Sequence, residues 1–221
     1  MTTAAARRGR PSRTAVAAVA ACGAAVLALL VGWWVFTPDT PETDSVEAGF
    51  ARDMSEHHAQ AVEMSLTALQ TSDERDIDLL AYDIATTQAT QIGMMQGWLE
   101  QWDLPSARPG PRMAWMGDGP MDSPSTDEAT PGSADYRPMP GMATPAEMQR
   151  LESASPEEVA VPFLRLMITH HEAGVDMARA AAQTADAPEV TRLAEAMVNG
   201  QRSEIELMTR LLEEHEADIS P

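Results

Sequence analysis

The sequence predicts an all-α protein: one N-terminal transmembrane helix, then a four-helix bundle made from two repeated helical hairpins. Three observations predict it. The stretch Thr14 to Phe36 carries no charge. Beyond it, apolar residues recur at helical spacing and no segment shows sustained period-two alternation, so no sheet is expected. The chain also superposes on itself at an offset of 113 positions without a gap. Phe50 falls on Phe163, Met54 on Met167, His57 on His170, His58 on His171 and Met64 on Met177, and farther along Gln88 falls on Gln201, Ile92 on Ile205, Met95 on Met208 and Leu99 on Leu212.

The first element is the apolar run. As a helix it would extend roughly 35 Å, enough to cross a bilayer. Arg7, Arg8, Arg10 and Arg13 lie only on its N-terminal side. The positive-inside rule therefore puts residues 1–13 in the cytoplasm, makes 14–36 a signal-anchor, and leaves 37–221 outside a cell membrane crossed once. A cleaved signal peptide is the alternative, but its apolar region is usually shorter than this. The single cysteine, Cys22, lies inside the run, so the domain beyond has neither disulfides nor thiolate ligands.

The first hairpin spans 44–102. A helix from Asp44 to Gln70 stops at "TSDE", whose spacing also starts a second helix from about Asp73 to Trp102. Residues 103–154 form a linker rich in Pro, Gly, Ser and Met, long for a compact domain. Within it, Thr144, Pro145 and Glu147 have the spacing of a cap, a first-turn Pro and a third-position acid, which predicts a short helix. Its methionines, Met113, Met116, Met121, Met139, Met142 and Met148, sit in segments too polar and Pro-rich for a core. They read either as clusters that capture a soft metal ion or as oxidation-tolerant filler. The second hairpin spans 155–216, with Pro162 kinking its first helix or marking its start, and Asp186 as the cap of its last. Each hairpin has one apolar stripe, and two stripes are buried only when the hairpins face each other.

The chain's formal charge of −19 argues against nucleic acid as a partner and for cations. At about 100° per residue, Phe50, Met54, His57, Ala61 and Met64 share one face, while His58 is turned by about 100° from His57. His57 and His170 are therefore expected inward, and His58 and His171 on the flank toward a neighbouring helix. Gln88, Ile92, Met95 and Leu99, and their counterparts Gln201, Ile205, Met208 and Leu212, form the facing stripes. Methionine also fills cores, and packing alone accounts for Ile92, Ile205, Met64 and Met177 when spacing is the only guide. The histidines are harder to explain that way, because a buried imidazole must find partners. Thioether with imidazole suits copper, Cu(I) above all, whereas magnesium or calcium wants oxygen ligands. His215, near the C-terminus, reads as a favourable helix-end charge.

"MSEHHAQAVEM" and "MITHHEAGVDM" resemble the M-x-x-H-H-x-x-A/G-x-x-M signature of the bacterial family called domain of unknown function 305 (DUF305). "QIGMMQGWL" and "EIELM" resemble its second-helix and fourth-helix segments. The resemblance runs from about Asp44 to Glu214, the linker excepted. It implies a ferritin-like bundle, secreted or membrane-anchored, with some members linked to copper. It points to Met54, His57, His58, Met64, Met167, His170, His171 and Met177 as metal ligands, to which the facing stripes add Met95 and Met208. Gly174 stands where the first copy has Ala61, and local distortion of the second half is expected there. The resulting expectation is a copper-binding protein that buffers or delivers copper, held to the membrane by its N-terminal helix and open to a copper-handling protein partner. No catalytic motif is recognisable: Glu-x-x-His spacing is missing from both His pairs, and no nucleophile elbow is present. A metal-dependent oxidase and a metal-free helical adaptor are the alternatives.

Overall fold

The computed structural model describes residues 22–29, 40–117 and 136–219. The chain divides into two units, Met1–Thr40 and Pro41–Pro221. In the first, residues 22–29 are helical and exposed; the remainder of the predicted span 14–36 lies outside the described residues. Among the described residues no helix is long and apolar enough to cross a membrane.

In the second unit helices are the regular structure, with no strand among its described residues. Four long helices, α1 (Val46–Thr71), α2 (Arg75–Gln101), α4 (Ala160–Thr184) and α5 (Pro188–Ile219), are joined by a linker that carries the short α3 (Pro145–Glu152) and a 3-10 turn at Ala114–Met116. Several ends follow from the chemistry around them, although the "TSDE" start gives α2 no side-chain cap. Ser45 caps α1 by accepting from the Ala48 amide at 3.2 Å. Thr144 and Glu147 form the capping box of α3 that their spacing predicts. Pro162 falls in the first turn of α4, where no amide is needed from it, so the helix is not broken. The amides of Asp186 and Ala187, ahead of α5, donate to Oε1 of Glu47 at 2.7 and 3.2 Å, so the first hairpin supplies a carboxylate to the start of the last helix.

α1 packs along α2, and α4 along α5; the two hairpins meet chiefly through α1 and α4. Two apolar clusters fill the interior. One holds Met54, Met95, Leu99, Met177 and Met197, and the other holds Met64, Ile84, Met167, Leu164 and Met208. The start of α1 thus shares a cluster with the end of α4, as antiparallel neighbours do. The 113-residue offset carries Met54, Met95 and Ile84 onto Met167, Met208 and Met197, so it exchanges one cluster for the other.

The linker differs from its sequence-based description. Met139, Met142 and Met148 are buried, and Met113 and Met116 pack half-buried against the first cluster; Met121 lies outside the described residues. Polar anchors on α1 make this possible. Asp53, fully buried, accepts from the Met113 amide and the Trp115 indole at 2.8 Å each and is paired with Arg108. Arg52 donates to the carbonyls of Thr43 and Pro105. Trp115 lies against Gly49, where any Cβ would come within 2.6 Å of it, and meets Phe50 edge-on at 5.7 Å. Composition did not indicate that side chains from the described parts of the linker complete the core.

Candidate metal centre

All ten predicted ligands, Met54, His57, His58, Met64, Met95, Met167, His170, His171, Met177 and Met208, are buried, none more than 1% exposed. The four imidazoles gather where α1 meets α4. The rings of His57 and His170 stack at 3.7 Å between centroids, inclined by 31°. This is the inward pair expected from the helical stripe. His58 and His171, one helical step away, turn to the second helix of their own hairpins, as the 100° displacement requires.

Every imidazole has an oxygen partner on Nε2. His57 faces the Pro140 carbonyl at 3.3 Å and His170 the His57 carbonyl at 3.0 Å. His58 meets Oε1 of Gln91 at 2.7 Å and His171 meets Oε2 of Glu204 at 2.8 Å. A carbonyl or carboxylate oxygen only accepts, so each ring donates its Nε2–H, and a neutral ring then carries its lone pair on Nδ1. The Nδ1 atoms of His57, His58 and His171 are buried without a hydrogen-bond partner. Such an orphaned lone pair is costly for a core residue. Oxygen-held Nε2–H with a bare second nitrogen is the arrangement that metal-ligating histidines adopt.

Burial also fixes the protonation state. Desolvation pushes His57 down to about 3 and His58 down to about 4, and it holds His170 well below the ordinary histidine value. Positive charge on neighbouring rings would add to the penalty, so His57, His58 and His170 are neutral at neutral pH.

The predicted methionines fall into the two apolar clusters, which the repeat exchanges: Met54, Met95 and Met177 in one, Met64, Met167 and Met208 in the other. Gln88 and Gln201, equivalent through the repeat, are buried with Oε1 unpaired. Gly174 gives Gln201 its space, since a Cβ there would lie 2.4 Å from that oxygen. α4 nevertheless continues through Gly174 from Ala160 to Thr184, without the distortion expected of it.

The linker closes the centre. Gly141, at φ +73°, brings the backbone against α4; a Cβ at this position would lie 2.8 Å from the Thr169 carbonyl and 2.5 Å from the Ala173 methyl. Gln60 secures the strap by donating to the Ala143 carbonyl at 2.9 Å and accepting from its amide at 2.6 Å. A surface cavity of about 600 Å³ opens beside the strap between Gln60, Tyr136 and Gln149, and none of the ten residues lines it.

Sequence reasoning missed four participants: the Pro140 carbonyl, Gly141, Gln91 and Glu204. The last two had a signal, because they are related by the same 113-residue offset as the histidines they hold. His215 also does more than expected. Its Nδ1 lies 3.4 Å from Glu74 and its Nε2 3.9 Å from Asp76, tying the end of α5 to the start of α2. Those three residues are the only set of three or more His, Cys, Asp or Glu ligand atoms within 4.8 Å of one another among the described residues. The four central histidines therefore do not form a ready three-nitrogen pocket, and any metal held by them needs sulfur ligands or few ligands.

The family model described as "Domain of unknown function (DUF305)" matches residues 47–212. The crystal structure of a DUF305 protein from Streptomyces coelicolor is 44% identical, over 79% of this chain and 96% of that one, with a TM-score of 0.69. A DUF305 fragment from Deinococcus radiodurans is 32% identical, over 76% and 96%, with a TM-score of 0.61. CopM in its Cu(I)-bound form is 23% identical, over 77% and 96%, with a TM-score of 0.56, a likeness of fold alone. No curated protein matches the sequence.

Proposed function

This chain belongs to the DUF305 family, and from that premise we propose that it is a membrane-anchored, extracytoplasmic protein that binds copper, Cu(I) by preference, and buffers or delivers it. The reading takes residues 14–36 as the anchor and the helical unit as a ferritin-like four-helix bundle. Its ligands are the Nδ1 atoms of His57, His58, His170 and His171, with thioethers from Met54, Met64, Met95, Met167, Met177 and Met208. A copper-handling protein is the partner to which the ion would pass. We read the centre as a binding site rather than an active site.

The observation that carries the proposal is the set of buried Nδ1 lone pairs with no partner, each on a ring whose Nε2–H is already held by oxygen. Neutral imidazole and thioether are both ligands that need no proton removed. Cu(I) tolerates two or three soft ligands, which agrees with a centre that gathers no three nitrogen or oxygen ligand atoms. Solved structures of CopM carry Cu(I), Cu(II) and silver, so this fold accommodates copper and silver ions in another protein.

The test is a Cu(I) titration of the full chain in detergent, under reductant, against a competing chelator. His57→Ala/His170→Ala should lose at least one equivalent of tight binding. Met54→Leu/Met177→Leu removes two thioethers but conserves volume, so it should lower affinity at least tenfold with a stability change under about 1.5 kcal/mol. Unchanged binding in both variants would assign the metal elsewhere.

A further inference from the structure

The two flanking histidines of the centre are held in the same way by partners that differ in charge. His58 on α1 is held by Gln91 on α2 at 2.7 Å, and the repeat places His171 on α4 against Glu204 on α5 at 2.8 Å. Both imidazoles are fully buried, and both have an orphaned Nδ1. One is held by a neutral amide and the other by a carboxylate.

Resting on the copper-binding reading above, we infer that Glu204, acting through His171, is a positioning residue that raises the affinity of the centre for Cu(II) relative to Cu(I), a bias that the neutral Gln91 does not give through His58. Two physical effects act in the same direction. An imidazole whose N–H is held by a carboxylate becomes a more basic, harder donor than one held by an amide, and Cu(II) prefers such nitrogen whereas Cu(I) is satisfied by thioether sulfur. The carboxylate also attracts a divalent ion with twice the Coulomb energy it offers a monovalent ion at the same distance. Its side chain is only 25% exposed, which limits screening by water and salt. Gln91 supplies the same hydrogen bond without the charge, so the repeat itself contains the control.

The experiment titrates the full chain separately with Cu(I) under reductant and with Cu(II) in air, each against a chelator of known affinity. Glu204→Gln keeps the shape and the hydrogen bond. It should lower Cu(II) affinity at least tenfold while moving Cu(I) affinity by less than about twofold. Gln91→Glu should do the reverse, raising Cu(II) affinity about tenfold, and it decides between the outcomes by itself if Glu204→Gln fails to fold. The electron paramagnetic resonance spectrum of bound Cu(II) should change in Glu204→Gln, since its imidazole ligand loses the carboxylate partner. Equal losses for both ions, or an unchanged ratio of affinities in both variants, overturns the inference while leaving the copper reading in place. Failure of the unaltered chain to bind either ion overturns the copper reading itself.

Discussion

A buried imidazole with one nitrogen satisfied and the other bare links chemistry to stability. His57, His58 and His170 are neutral in the fold because burial disfavours their charged form, with values pushed down to about 3 for His57 and about 4 for His58. In the unfolded chain each takes up a proton near 6.5. Between those limits the unfolded state binds more protons, so stability is full above about 6.5 and is lost as pH falls toward 4. Each residue contributes a loss of roughly 1 kcal/mol per pH unit within that window. The metal-free protein should therefore show a urea midpoint that drops steadily from pH 7 to pH 5. A flat profile over that range would mean that these rings are not held neutral.

The elements differ in how plainly the sequence announced them. The four long helices were legible because apolar spacing and caps are local, and their pairing was legible because the 113-residue repeat required two equivalent stripes to find each other. The flank positions of His58 and His171 followed from a rotation of about 100° alone. The strap from Met139 to Ala143 was not legible as core. Its Pro and Gly content correctly excludes a helix, yet its burial depends on the seam between α1 and α4, which exists only in the assembled fold. Gly141 is the residue on which that seat depends, since its positive φ and its approach to Thr169 leave no room for a Cβ. Gly141→Ala should destabilise the protein by roughly 1–3 kcal/mol. It should also speed hydrogen exchange at the amides of Met142 and Ala143, which now bond to Met139 and Gln60. Exchange at the unaltered rate would show that the strap is seated by Gln60 and the Met139 and Met142 side chains rather than by backbone contact.

For the whole molecule, the centre lies on the main seam between two hairpins, since α1 and α4 supply both the histidine stack and the principal contact between the halves. An ion with ligands from both hairpins joins them and has no equivalent site in the unfolded chain, so its binding energy adds to the stability of the assembled unit. At a free copper concentration one hundred times the dissociation constant, the gain is about 2.7 kcal/mol. For a unit of this size that corresponds to a rise of roughly 5–10 °C in the thermal midpoint. The acidic surface attracts cations without regard to type, so the comparison must be with a hard ion: magnesium at the same concentration should leave the midpoint unchanged. His57→Ala/His170→Ala should abolish the copper-induced rise. An equal rise with magnesium, or a full rise in that variant, would trace the stabilisation to surface carboxylates and detach it from the seam.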